Sequence, residues 1–534
     1  MNLQPKWGKR GMAVAPHSLA AESAVAVLRE GGNALEAMIA AAATIAVVYP
    51  HMNSIGGDSF WVIHRPGHAM GGIDACGASA GLASRDWYAQ RGMTQAIPFR
   101  GPVAANTVAG TISGWGAAHQ LSRQSLGGRL PLQRLLDDAI TYARRGVPVT
   151  HSQHHLTAVK LPDLKHQPGF AETFLTQGQS PATGSLFVQP KLAATLEHLS
   201  RVGTDDFYRG ELAHSLAQDL ERLGSPLRLS DLQRHRARLV NPLTLSHSQG
   251  QVHNMTPPTQ GLMSLIILGL LDRLGLDRHA VDSADHVHLC VEATKQAFKV
   301  RDQHLTDPAY MTRDPAEFLT AATLDAMARK IDPQQALPWG AGRPPADTIW
   351  MGVIDEQGLC VSFIQSIYHE FGSGIVLPTA GVNWQNRGCS FSLDPNALNT
   401  LEPLRKPFHT LNPALAVLDS GRTMVYGTMG GDGQPQTQAA IFSRVVHYGL
   451  DPQDAISRPR WLLGRTWGQT SDTLKLESRF PDAVTDELRW RGHDVEIIGA
   501  LDETVGHAGC IVREANGILK GGWDPRSDGA VVAY

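Results

Sequence analysis

The order of elements in this 534-residue chain predicts an α+β fold, a layered core of strands with helices outside. Three observations carry that expectation. Apolar residues in the first half recur mainly at helical spacing. At Thr348 the texture turns abruptly to buried strands. Two helices then lead into a last group of strands, and no independent boundary separates the halves.

Taken in order, Ser18 can cap a helix through Arg29, whose apolar positions Ala21, Ala24, Val25 and Leu28 fall at helical spacing and which Gly31-Gly32-Asn33 stops. Residues 35–48 read as a buried, Ala-rich helix ended by Pro50. The turn Ser54-Ile55-Gly56-Gly57-Asp58 leads into a strand at 59–64. Further helices are expected at 132–144, 191–200, 211–223, 261–274 and 284–304, with a strand at 251–255 before the turn Pro257-Pro258. Residues 332–347 read as a solvent-exposed connector. After it come strands at 349–355, 359–366, 414–418 and 423–428, helices at 436–448 and 482–491, and strands at 494–498, 508–513, 517–521 and 529–533.

Composition bounds the function. Hydrophobic content of 42% and charged content of 18% describe a globular enzyme. A net charge of -3 without a marked basic tract argues against nucleic acid. The five scattered cysteines form no Cys-x-x-Cys pair, so neither a disulfide framework nor a zinc ribbon is indicated. No apolar export segment begins the chain, and the most apolar run, 38–49, falls short of the roughly 20 residues that span a bilayer. The expectation is a cytoplasmic protein.

Thr348 is the strongest candidate for chemistry. A flexible connector running into a threonine at the start of a β-hairpin is what a self-cleaving proenzyme needs, although an ordinary interdomain linker has the same texture. Cutting between Asp347 and Thr348 would put an α-amine beside a hydroxyl, base and nucleophile in one residue. A free α-amine titrates near ~7.7–8.0, close to working pH. Ser366, at the end of the second hairpin strand, can return across the hairpin as a partner hydroxyl, or be a plain surface serine. Gly427-Thr428-Met429-Gly430-Gly431-Asp432-Gly433 lies at a strand-to-helix turn, where successive backbone N–H groups can converge on an oxyanion. The Lys-Ser/Thr of a P-loop is missing, so a nucleotide is disfavoured, and a simple tight turn is the other reading.

Two rival motifs stand beside it. Gly77-Ala78-Ser79-Ala80-Gly81 matches a serine-hydrolase elbow, but residues 70–75 make a poor buried strand to precede it. His286-Val287-His288 and His151-Ser152-Gln153-His154-His155 offer metal-type ligands without a fuller zinc pattern. The first pair sits near a helix start and the second in a polar loop, where core or solvated histidines are expected.

From Gly11 to its end the chain resembles the γ-glutamyltransferase family of N-terminal nucleophile hydrolases. The matching stretches are 11–20 with 31–37, Tyr-Pro-His-Met-Asn-Ser-Ile-Gly-Gly-Asp at 49–58, Asp-Phe-Tyr-Arg-Gly at 206–210, Pro-Pro-Thr-Gln-Gly at 257–261, Phe-Gly-Ser-Gly-Ile-Val at 371–376 and Met-Gly-Gly at 429–431. The resemblance implies a four-layer αββα sandwich. It also implies autocleavage before Thr348 into an α-chain of 1–347 and a β-chain of 348–534, which remain one folded unit of open oligomeric state. Thr348 is then the nucleophile, Ser366 the assisting hydroxyl where the family usually has threonine, and Gly430 and Gly431 the oxyanion glycines. The chemistry calls for no metal or organic cofactor.

The departures from the family bear on substrate. Cys76 stands where the family reads a γ-glutamyl carboxylate with arginine. Ser390 stands where an acidic residue reads the ammonium, and Arg387 nearby would repel it. His409-Thr410 replaces two serines, and Tyr368 replaces an asparagine. Arg387 with donors from His409 and Tyr368 suits a small anionic amide, because a guanidinium forks onto a carboxylate. The branch of the family that hydrolyses oxamate to oxalate and ammonia in purine breakdown is similar in this respect. A γ-glutamyl hydrolase or transferase, a cephalosporin-type acylase with a wide apolar pocket near Tyr368, a Ser79 hydrolase and an uncleaved binding protein remain the alternatives.

Overall fold

The computed structural model describes residues 3–340, 347–465 and 471–534, the first of the second group by its backbone alone. Two seven-stranded sheets form its centre. One runs Ala530–Ala533, Gly11–Ala15, Asp347–Asp355, Cys360–Tyr368, Asp58–His64, Gly71–Ala75, Arg238–Val240 from edge to edge. The other runs Lys6–Gly8, Leu519–Trp523, Ala508–Arg513, Thr423–Thr428, Ala414–Leu418, Gly250–Asn254, Leu243–His247. Strands from both ends of the sequence therefore share each sheet, which is why no domain boundary was visible.

Met12, Phe60, Trp350, Ile364, Leu415, Val425 and Ile511 fill the space between the sheets. Trp350 fits there because Gly427 and Gly509 face it: a Cβ on either would lie 2.3 or 2.5 Å from its ring. Its indole N–H donates to Ser362 Oγ at 3.0 Å, so the one polar atom of the ring is satisfied. Helices Ser18–Arg29 and Ala34–Val48 cover the outer face of the first sheet within one apolar cluster. Gly261–Arg273, Ala284–His304 and Gln434–Phe442 cover the second within another. The result is the αββα sandwich.

Most of the expected elements fall within two residues of their bounds, while helix Thr111–Ser125 and strand Gly11–Ala15 were not anticipated; the other departures have local causes. Ser18 is the first residue of its helix, and the cap is His17, whose Nδ1 accepts from Leu19 N at 3.3 Å. The helix expected at 436–448 passes from α into a π turn at Ser443–His447. His151–His155 lie in a helix, His151–Leu164, capped by Thr150, and not in a loop. Gly71–Ala75 is a real strand despite its glycines, because it sits between Asp58–His64 and Arg238–Val240.

The described part of the connector forms no helix or strand and is largely exposed, as expected, but it is tied down. Residues 332–340 are described, and several of them are fastened by helix Ala284–His304 and the turn after Asp482–Trp490. His288 Nε2 meets Asp332 O at 2.8 Å, Lys295 Nζ donates to Leu337 O at 2.6 Å, and Leu337 N donates to Glu292 Oε2 at 3.1 Å. Residues 341–346 lie outside the described part.

Candidate active site

Thr348 is buried within strand Asp347–Asp355. That strand pairs with Cys360–Tyr368, and the register shifts at this point: Asp347 pairs with Tyr368 but Ile349 with Gln365. Ser366 and Ile367 thus face Thr348 together, a β-bulge of the kind that re-aims a side chain. Ser366 is 1% exposed and its Oγ accepts from Tyr368 N at 2.8 Å. Tyr368 takes a φ of +83°, a strained value for a tyrosine.

The glycine turn approaches from the other sheet. Strand Thr423–Thr428 ends, Gly430 and Gly431 adopt φ of +110° and +52°, and helix Gln434–Phe442 begins. Only glycine takes up such angles without strain. Gln260 braces the turn, donating from Nε2 to Gly431 O at 2.6 Å and to Thr410 O at 3.0 Å.

Arg387 opens a short 3-10 turn, Arg387–Ser390, and is fully buried. Its Nη1 donates to Thr410 Oγ1 at 3.3 Å, and its guanidinium lies 4.0 Å from the Tyr368 ring centre. Its Nε and Nη2 have no hydrogen-bond partner among the described residues. Burial pulls its pKa down to about 10, against the pull of Tyr368 and Asp58. Ser390 donates to Phe408 O at 3.3 Å and lines a cavity of about 360 Å³ with Tyr368 and Thr410.

His409 is also fully buried. Its Nε2 meets Asp58 Oδ2 at 3.0 Å, and its Nδ1 has no partner among the described residues. Burial holds its pKa well below the usual imidazole value, so it stays neutral at working pH. Asp58 accepts from Gly77 N and Gly110 N, both at 3.0 Å, through Oδ1. Burial raises its pKa to about 7 although those N–H groups and Arg387 favour the anion. The sequence reading treated Asp58 only as the end of a turn. The signal was there, an acid directly after Gly56-Gly57 at a strand start, but nothing local said that its carboxylate would face His409.

Geometry thus gathers Arg387, Tyr368 and Thr410 into one contact cluster, with Ser366 joined to Tyr368 and Ser390 on the shared cavity. His409 joins through Asp58. Cys76 is buried behind Asp74, whose Oδ1 accepts its N–H at 3.1 Å. Ser79 does not make an elbow: its hydroxyl donates to Glu402 O at 2.6 Å and accepts from Arg405 N at 3.1 Å, tying two loops together. His286 and His288 are core residues, the latter 2.8 Å from His493 Nε2.

The family profile described as Gamma-glutamyltranspeptidase matches residues 20–534. The chain belongs to the gamma-glutamyltranspeptidase family. This family member is 58% identical over 524 residues to the oxamate amidohydrolase proenzyme of Klebsiella pneumoniae subsp. pneumoniae, covering 98% of each chain. It is 39% identical to the glutathione hydrolase-like YwrD proenzyme of Bacillus subtilis, again over 98% of both. Among solved structures it superposes on cephalosporin acylase from Bacillus halodurans with a TM-score of 0.91 at 30% identity, covering 100% of this chain and 97% of that one. No described helix is long and apolar enough to cross a membrane.

Proposed function

We propose that the chain is an autoprocessed N-terminal-threonine amidohydrolase acting on a small carboxylate-bearing amide, with oxamate, giving oxalate and ammonia, as its substrate. The observation that carries this reading is Arg387, a buried cation beside the Thr348 hairpin whose Nε and Nη2 have no hydrogen-bond partner among the described residues. An unsatisfied buried donor costs about 1–3 kcal/mol and more when charged, and a substrate carboxylate would remove that cost. The likeness to an oxamate amidohydrolase proenzyme supports the same substrate.

In this reading the Thr348 hydroxyl first attacks the carbonyl of Asp347, and hydrolysis of the resulting ester separates an α-chain of 1–347 from a β-chain of 348–534. The freed amine then takes the hydroxyl proton as Thr348 Oγ attacks the amide carbon. Gly430 and Gly431 N–H groups hold the oxyanion, a contribution of about 10²–10³ in rate per donor. Ser366 orients the nucleophile, Arg387 and Thr410 hold the carboxylate, and His409, kept neutral and fixed by Asp58, faces the substrate with Tyr368 and Ser390. Ammonia leaves and water cleaves the acyl-threonine. Such a step fits purine breakdown in the cytoplasm. A γ-glutamyl substrate fits less well, because Cys76 and Ser390 supply neither the cation nor the anion that its amino-acid end requires.

The test is ammonia release from oxamate and cysteinylglycine release from glutathione by wild type and Thr348→Ala. Wild type should run as two chains and release ammonia from oxamate; Thr348→Ala should run as one and release none. A single full-length wild-type band with activity, or turnover by the variant, sinks the proposal.

A further inference from the structure

Helix Ala284–His304 carries His288 and Glu292 four residues apart, so both side chains leave the same face. His493, in the turn that follows helix Asp482–Trp490, comes up against them. One nitrogen from each histidine and one oxygen of the carboxylate all lie within 4.8 Å of one another. His288 and Glu292 are fully buried, and His493 is 6% exposed. Two imidazoles and a carboxylate are a donor set that zinc takes, with a fourth position left for water.

The surrounding hydrogen bonds fix the protonation of the cluster. His288 Nε2 meets Asp332 O at 2.8 Å. A carbonyl oxygen only accepts, so Nε2 carries the proton and Nδ1 keeps its lone pair. That lone pair faces His493 Nε2 at 2.8 Å. A ring that donates its far N–H to a backbone carbonyl and presents the other nitrogen is arranged as metal-ligating histidines are. Burial, with the Lys295 charge, His288 and the Arg491 charge, holds the His493 pKa down to about 3, and burial lowers that of His288. Both rings are therefore neutral, the state that ligates. Glu292 accepts from Lys295 Nζ at 2.7 Å and from Leu337 N at 3.1 Å. These bonds use two of its roughly four lone-pair sites and hold the carboxylate in place. The other cation near the cluster, Arg491, is answered by Asp285 at 2.7 Å and Glu487 at 2.9 Å.

We propose that His288, Glu292 and His493 bind one divalent transition metal, zinc by the chemistry of the donors, and that the ion is structural. The two facing nitrogens part by about half an ångström to sit at zinc–nitrogen distances of about 2.0–2.1 Å. The His493 proton moves from Nε2 to Nδ1, so no proton is lost. The ion ties the helix that pins the connector at Asp332 and Leu337 to the carboxy-terminal part of the chain. The site itself does not depend on the activity proposed above. The processing proposed there gives it a further consequence: two ligands would lie on the α-chain and one on the β-chain, and the ion would bridge them.

The experiment titrates zinc into chelator-treated mature enzyme and His493→Ala, by calorimetry and thermal unfolding. Wild type should bind about one zinc per chain with a Kd of about a micromolar or tighter. At a hundredfold excess over that Kd its unfolding temperature should rise by about 2 °C or more. His493→Ala should bind about a hundredfold more weakly or worse and lose the rise, with oxamate turnover unchanged. Cobalt serves if the variant does not fold: wild type should give the intense visible bands of a four-coordinate nitrogen–oxygen site without a thiolate charge-transfer band. No binding by wild type, equal affinity and stabilisation in His493→Ala, or a thiolate or six-coordinate cobalt spectrum overturns the site. Oxamate turnover is scored apart, so its absence removes the proposed activity and leaves the zinc result to stand alone.

Discussion

Two buried clusters in this protein use the same residue types to opposite ends. In one, Arg526 donates to Glu477 from Nε and Nη2 at 2.8 and 2.6 Å and to Asp524 from Nη1 at 3.0 Å, while Arg460 reaches Asp524 at 2.5 Å. Burial alone would raise the Asp524 pKa, but the two arginines bring it down to about 2. In the other, Asp58 is pushed up to about 7 by burial and Arg387 keeps two donor nitrogens without partners among the described residues. Exposure does not separate the two clusters, since all these residues are buried. The difference lies in whether a carboxylate answers the cation: Arg460 also leaves Nε and Nη1 without partners among the described residues, but it is ion-paired with Asp524, whereas no carboxylate pairs with Arg387 among them. The answered cluster is scaffolding. The unanswered one has a place for a charged visitor.

That contrast can be broken most forcefully at the scaffold. Removing one partner of a buried ion pair costs about 3–5 kcal/mol, so Glu477→Gln should lower the unfolding free energy by that order in urea titrations while leaving KM for oxamate unchanged in the folded fraction. Arg387→Met should do the reverse. KM for oxamate should rise by about a hundredfold, because a bidentate charged contact is lost, while the urea midpoint stays level or rises, since an unpaired buried cation has gone. A midpoint that falls as far as for Glu477→Gln would erase the distinction.

The pH response sharpens it further. With its pKa raised to about 7, Asp58 is neutral below that pH and leaves the Arg387 charge uncompensated. An anionic substrate then binds best below about pH 7, and KM should climb by about tenfold as the pH rises through it, with Asp58→Asn removing the dependence. Stability follows the same signs. The Asp58 contribution is present below its unfolded value of 3.8 and lost as pH rises through about 7; that of Asp524 is present above 3.8 and lost as pH falls through about 2. Urea midpoints of Asp58→Asn and Asp524→Asn against wild type across pH should therefore diverge in opposite directions. The smallest effect is expected at Ser390→Ala, a change in KM of about twofold or less, because that hydroxyl is already committed to Phe408 O.

Much of this was legible in the sequence, and what was not has a physical reason. Helices Glu211–Leu223 and Ala284–His304 fall at their expected bounds because caps and apolar spacing are local signals. The hairpin after Thr348 was legible for the same reason. Asp58 was not, because its partners Gly77, Gly110 and His409 lie up to 351 residues away. The order of the connector at 332–340 escaped likewise: its Pro-Gly texture reads as loop, and the Glu292–Lys295 pair that holds Leu337 belongs to a helix some forty residues earlier. Gln260 shows the same limit, since bracing the glycine turn spans 171 residues.

That fastened connector bears on how the enzyme would work after processing. Trp339 packs against Phe298, 6.0 Å between ring centres, and Leu337 is pinned by both backbone groups. A cut before Thr348 would leave a tether of residues 340–347, able to stretch at most about 28 Å. The newly made carboxyl end would therefore stay within that reach of Trp339 and could not diffuse away from the molecule.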